Sequence, residues 1–252
     1  MRRNRALAKL RDGRVISGPI LSFDSPSLAE QLAHLGFDFV WLDWQHGQWA
    51  EHTLNDALAR FLATESTPLV RVKGHEPGTI NRVLDMGAMG VVVPYVQDAA
   101  QARAAVQAAY YPPRGIRSGG GVRLGLIGDS SAEYLAQAND EIMVGVMLET
   151  EAAIARAEEI MTVPGVSFAL IGPSDLMIDV KANGHDEAEH ERLVLHVAEV
   201  SKRTGVPAGN VCRSKEDAQR RIAQGFRFIN YSSDGAVLLA GMRQLLADAR
   251  DW

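Results

Sequence analysis

The sequence predicts a single (β/α)8 barrel, and three observations carry that prediction. Eight short runs rich in β-branched and apolar residues alternate with longer runs of helical period along almost the whole chain. The 252 residues match one barrel, which commonly takes ~250. Residues with chemical potential fall at or just beyond the ends of several different runs, where a barrel gathers its active site. The competing doubly wound open sheet is disfavoured, because no Gly-x-Gly-x-x-Gly follows the first run.

Taken in order, the first strand is expected over 15–23, and a helix over 27–35 follows with leucines at positions 28, 32 and 35 on one face. Gly36 ends that helix before a strand over 37–44. Strands over 69–73 and 91–96 come next, then a helix over 98–110. A glycine-rich stretch, 111–131, separates this helix from the fifth strand, 142–149; a loop of that length is a lid, a binding loop or disordered. A helix over 150–161 leads through Gly165 to a strand over 166–171. Helices over 187–204 and 214–224 end on Gly205 and Gly225 before strands over 206–211 and 226–231. Glycine suits the left-handed cap that such helix-to-strand joints require. No linker divides the chain, so residues 1–252 are expected to form one domain.

Composition narrows the function. Hydrophobic residues at 46% and charged residues at 23% describe a globular protein with a sizeable core. A net charge of -5, with arginines that do not interleave with aromatics, gives no basic field for nucleic acid. No run approaches ~18 apolar residues, so no membrane span is expected. The basic start, from Met1 to Arg5, is followed by Lys9, Arg11 and Arg14 rather than an apolar segment, which reads as a solvated first helix and not an export signal. The lone Cys212 fits a reducing compartment, the cytoplasm, and a buried bystander role.

Several side chains carry chemistry. Glu149 ends the fifth strand and Asp175 lies just past the sixth, in Ile171-Gly172-Pro173-Ser174-Asp175. Two carboxylates from neighbouring strands suit a hard divalent ion such as Mg2+ or Mn2+, whereas as capping residues they would only start the next helix or turn. Asp43 and His46 follow the second strand, either as a carboxylate-steered general base or as a satisfied loop pair. Arg71 ends the third strand and would stabilise an enolate or carboxylate oxygen, or form a structural ion pair. Arg114 and Arg117 in the glycine-rich stretch offer an anion-binding lid or solvated charge. Ser232-Ser233-Asp234-Gly235 is read as helix capping, since Asp234 would repel a phosphate.

In combination these segments resemble the metal-dependent pyruvate aldolases of the HpcH/HpaI type, from about residue 17 to 246. The likeness rests on Asp43-Trp44-Gln45-His46-Gly47, on Arg71-Val72 with Leu84-Asp85-Met86-Gly87, on Tyr111-Pro112-Pro113-Arg114-Gly115-Ile116-Arg117, and on Leu148-Glu149-Thr150 with Gly172-Pro173-Ser174-Asp175. The resemblance implies a TIM barrel of the phosphoenolpyruvate/pyruvate type and reversible aldol cleavage of 4-hydroxy-2-oxo acids to pyruvate and an aldehyde. It implies that Glu149 and Asp175 bind a divalent metal, Mg2+ or Mn2+ before Co2+ or Zn2+, and that Arg71 faces the enolate oxygen. Backbone N–H groups around Gly172, Pro173, Ser174 and Asp175 would hold the pyruvate carboxylate. His46 would be the base, steered by Asp43 and by Asp85, which stands before the fourth strand and would be lent by a neighbouring subunit. A cytoplasmic homo-hexamer, a dimer of trimers with an exchanged terminal helix, is the implied assembly.

The chain departs from the family at Gln45, where glutamate is common, and at Met147, where glutamine is. Three other readings remain: an acyl-CoA lyase of the citrate-lyase type, a Schiff-base aldolase built on Lys73, and a non-catalytic oxo-acid-binding barrel.

Overall fold

All eight expected strands form. In a computed structural model that describes residues 2–128 and 130–250 they are β1 (Ile16–Leu21), β2 (Phe39–Asp43), β3 (Thr67–Arg71), β4 (Gly90–Val93), β5 (Met143–Leu148), β6 (Phe168–Ile171), β7 (Ala208–Cys212) and β8 (Phe228–Ser233). Each pairs in parallel with the next, and β8 pairs back onto β1 to close the barrel. α1 (Arg5–Arg11) precedes the barrel; α2 (Pro26–His34), α3 (Glu51–Arg60), α4 (Pro77–Asp85) and α5 (Ala99–Ala109) follow β1 to β4. α6 (Leu124–Ile127) and α7 (Ser131–Glu141) lie before β5, and α8 (Glu151–Ala155) and α9 (Ala157–Met161) after it. α10 (Pro173–Ala182) and α11 (Glu187–Thr204) follow β6, α12 (Lys215–Gln224) follows β7, and α13 (Asp234–Ala249) follows β8.

Two apolar layers hold the barrel. The outer one joins sheet to helices, with Val40, Leu42, Val70, Val91, Val144 and Ile171 fully buried. The inner one fills the barrel itself, where the rings of Phe39, Phe228 and Phe168 stack at 4.4 and 4.3 Å. Gly145 makes room for that stack, because a Cβ there would lie 2.3 Å from the Phe168 ring. The helix ends follow their local chemistry: Ser25, Asp98, Asp186 and Ser214 cap first turns with side-chain oxygens, and Gly205 and Gly225 close α11 and α12 at φ 75° and 111°.

Four expectations change. α1 is not a solvated helix: Asn4 caps it, and its Ala6, Leu7 and Leu10 are buried in the inner layer, closing the N-terminal end of the barrel. β3 begins at Thr67 and stops at Arg71, two residues ahead of the expected span. The helix expected over 150–161 breaks at Arg156, where an Arg156 N–H to Ala153 bond tightens the turn. The 111–131 stretch contains α6 and the start of α7, and it joins α5 to β5 at the N-terminal end, away from this chain's own barrel mouth.

α13 stands apart from these packed elements. Ser233 caps it and Asp234 accepts backbone N–H groups from Ser22 and Phe23, which bears out the capping reading. Yet none of its described residues is buried, and Val237, Leu238, Leu239, Met242, Leu245 and Leu246 are exposed. No helix among the described residues is long and apolar enough to cross a membrane.

Candidate active site

Strand register assembles the site. Asp43 and Arg71 are direct partners across β2 and β3, and Leu148 and Ile171 across β5 and β6, so Glu149 and Gly172 leave the sheet side by side at the C-terminal mouth. Neither acid is a simple cap. Thr150 caps α8, leaving Glu149 free, and Asp175 lies within the first turn of α10 behind an N-cap, Gly172, that has no side chain.

Glu149 is 3% exposed. One of its oxygens accepts the Tyr95 N–H at 2.7 Å, which Tyr95 presents by adopting a left-handed φ of 55°. The other lies against Gly172, where a Cβ would come within 2.5 Å of it. Burial pushes the Glu149 carboxyl up to about 7; the facing Asp175 pushes the same way through its charge and a shared hydrogen bond, while the Tyr95 N–H and Arg71 oppose the rise. Two facing acids, of which Glu149 is buried and Asp175 half-buried, either hold a proton or hold a cation. Among the described residues no group of three His, Cys, Asp or Glu forms a metal cluster. The donor set of two carboxylates with open positions therefore fits a hard ion completed by water and substrate oxygens, and not a site closed by protein alone.

Arg71, 8% exposed, donates from Nε and Nη2 to the two Asp43 oxygens at 2.8 and 2.5 Å. Its face covers Trp41 at 5.4 Å, and Nη1 approaches the Met147 sulfur at 4.0 Å. A guanidinium has five N–H donors, so this fork leaves donors unspent at the mouth. The ion pair does not exclude the catalytic reading; it fixes the aim of the cation.

Asp43 corrects one expectation. Its Oδ1 accepts the backbone N–H of Gln45 and of His46, both at 3.2 Å, so it shapes the loop and not the imidazole. The His46 side chain is exposed at the mouth, and its ring has no hydrogen-bond partner among the described residues. Gln45 leaves its Oε1 buried without a partner beside it.

Asp85 lies at the end of α4 on the opposite end of the barrel, paired with Arg117 at 2.8 Å. Arg117 is 2% exposed and also donates to the Tyr134 hydroxyl, and Arg114 binds Asp140 and covers Tyr110. The two arginines are committed within the chain, which corrects the anion-lid expectation. Lys73 lies exposed with its ammonium over the Trp44 ring at 4.4 Å, outside the interior a Schiff-base lysine would need. Cys212 is buried and burial pushes its thiol up to about 12, which leaves it inert.

Sequence reasoning missed Tyr95, Gly172 as the cradle of Glu149, and Arg213. Tyr95 gave no signal, because tyrosine does not mark a left-handed position. Arg213 stands directly after β7 and donates to the Ser174 hydroxyl at 3.2 Å; its place one residue past a strand end was the available signal.

Comparison with known proteins matches the chain and its barrel to one family. Residues 20–240 match the family described as HpcH/HpaI aldolase/citrate lyase. A hydroxypyruvate/pyruvate aldolase of Rhizorhabdus wittichii is 36% identical over 228 residues, 88% of this chain and 89% of that one. A 4-hydroxy-2-oxo-heptane-1,7-dioate aldolase of Escherichia coli is 32% identical over 246 residues, 95% of this chain and 92% of that one. A crystal structure of an HpcH/HpaI aldolase/citrate lyase family protein from Burkholderia cenocepacia superimposes with a TM-score of 0.89 at 30% identity, covering 98% of this chain and 99% of that chain. With most of its length matched in both sequence and barrel, the chain belongs to the HpcH/HpaI aldolase/citrate lyase family.

Proposed function

We propose that this protein is a divalent-metal-dependent aldolase that cleaves 4-hydroxy-2-oxo acids reversibly to pyruvate, or a close 2-oxo acid, and an aldehyde. The observation that carries the reading is the facing pair Glu149 and Asp175 with the charge of Arg71 within reach of it. Glu149 and Asp175 would hold the metal, Mg2+ or Mn2+ by the hardness of their oxygens. The bound cation supplies Lewis acidity to the keto oxygen of the oxo acid.

The chain's own groups do the rest. Pro173 brings no N–H, but those of Ser174 and Asp175 open α10 without a capping side chain, and they bind the substrate carboxylate at the positive helix end. Arg71, aimed by Asp43, faces the oxygen on which negative charge develops. His46 removes the proton of the C4 hydroxyl. The C3–C4 bond then breaks, its electron pair passing to the oxo-acid fragment, the aldehyde leaves, and C3 takes up a proton to give pyruvate. Asp85, at the far end of its own barrel, would serve a neighbouring copy. The bare apolar surface of α13 supports a homo-hexamer in which this helix packs on another subunit. A single buried thiol suits the cytoplasm.

The test is exchange of the pyruvate methyl protons by the chelator-treated protein before and after Mg2+ or Mn2+ is returned. Exchange that appears only with metal supports the aldolase. Its absence under both conditions favours a non-catalytic oxo-acid binder.

A further inference from the structure

We propose that His75 is a positioning residue for the metal site: its imidazole holds the Pro94–Tyr95 peptide in the orientation that turns the Tyr95 N–H onto Glu149. The inference rests on the aldolase reading above and deepens it, adding to that site a side chain from the loop between β3 and α4. The Pro94 carbonyl and the Tyr95 N–H belong to one planar amide, so they point to opposite sides of it and turn together. His75 Nε2 lies 2.5 Å from the carbonyl oxygen, and the N–H donates to Glu149 Oε2 at 2.7 Å. A carbonyl only accepts, which makes Nε2 the protonated ring nitrogen and the imidazole the donor. One peptide group thus links the ring to the carboxylate, and each of its two bonds polarises the other.

That orientation needs an anchor. Tyr95 takes φ 55°, a left-handed value that tyrosine keeps only where its surroundings enforce it. Turning the 94–95 amide over would carry this φ into the extended region that tyrosine prefers, and would aim the Pro94 oxygen at Glu149 in place of the N–H. The next amide is pinned separately, because Val96 N–H donates to the Met147 carbonyl of β5 at 3.1 Å. His75 holds the carbonyl side of 94–95, with Pro94 buried and the ring half-buried, so water replaces that bond poorly. The Tyr95 N–H in turn fixes Oε2 of Glu149 and leaves the other oxygen, Oε1, against Gly172, on the side from which α10 brings Asp175. Without the ring the carboxylate keeps its place in the chain and loses its aim.

The experiment titrates the chelator-treated protein with Mn2+ alone by calorimetry and records a melting curve on the same samples. His75→Ala is expected to weaken Mn2+ binding by about tenfold or more, while the metal-free melting temperature stays near wild type. His75→Gln, whose side-chain amide can donate from a similar distance, restores most of the affinity. In a Tyr95→Gly background both signs of φ are open, so the amide has less to gain by turning and the same His75→Ala change costs less. Equal Mn2+ affinity in His75→Ala and wild type, a loss that His75→Gln does not recover, or an equal loss in both backgrounds would overturn the assignment while leaving the aldolase intact. No Mn2+ binding by wild type, with no metal-dependent exchange of pyruvate methyl protons, would overturn the parent reading and this one with it.

Discussion

The two ends of the barrel bury charge in opposite ways. At the N-terminal end Arg117 is enclosed by Asp85 at 2.8 Å, by the Tyr134 hydroxyl at 3.1 Å and by the rings of Tyr111 and Tyr134. Burial works against that cation, yet the surrounding groups outweigh it and raise its pKa. At the C-terminal mouth Glu149 meets another acid, and burial and repulsion together drive it towards neutrality. The first cluster neutralises its charge within the chain, although Arg117 Nε and the Tyr111 hydroxyl stay buried without a hydrogen-bond partner. The second is stable only with a proton or a cation added from outside, which is how a binding site differs from a structural knot.

Substitutions break or sharpen that contrast. The largest effect is expected from Asp175→Ala, which removes half of the metal donor set: turnover falls by about a thousandfold or more, roughly 4 kcal/mol of barrier, while thermal unfolding of the metal-free protein stays near wild type. Steady-state aldol cleavage and a melting curve on the same samples decide it. The mirror change at the other end, Arg117→Leu, strands Asp85 and should lower unfolding free energy by about 3 kcal/mol in urea titrations; an unchanged midpoint would break the comparison. His46→Ala comes next, with turnover down about a hundredfold and metal affinity by calorimetry retained, because the ring has no hydrogen-bond partner among the described residues.

The smallest effect is the pH dependence of Glu149. Its folded pKa, about 7, lies above the ordinary value of 4.5, so the folded metal-free protein keeps a proton that the unfolded chain has already released in that interval. Stability from this group therefore declines as pH rises from about 4.5 to 7 and then levels. Metal-free wild type should lose on the order of 2 kcal/mol between those limits relative to Glu149→Gln. Urea midpoints measured in chelator across that range would show two parallel curves if the carboxyl does not titrate there.

Much of the barrel was legible because its signals are local. Strand runs, helical periods and the glycines at 36, 165, 205 and 225 are properties of adjacent residues, and all four glycines take positive φ. Glu149 and Asp175 were legible as acids at strand ends. What escaped depends on contacts distant in sequence. Asp43 was expected to steer the His46 ring three residues away, but its partner is Arg71, 28 residues on and directly across the sheet in register. Arg117 sits among glycines and prolines that suggest a solvated loop, and only the fold brings Asp85, Tyr111 and Tyr134 around it. α1 carries enough arginine and lysine to look solvated, while its three apolar residues on one face cork the barrel.

One consequence follows from α13. If α13, whose leucines are about half exposed in the single chain, packs on another copy as proposed, tenfold dilution would weaken each such association by about 1.4 kcal/mol. The melting temperature would then track how much of the protein is present, and abundance would set its survival alongside sequence.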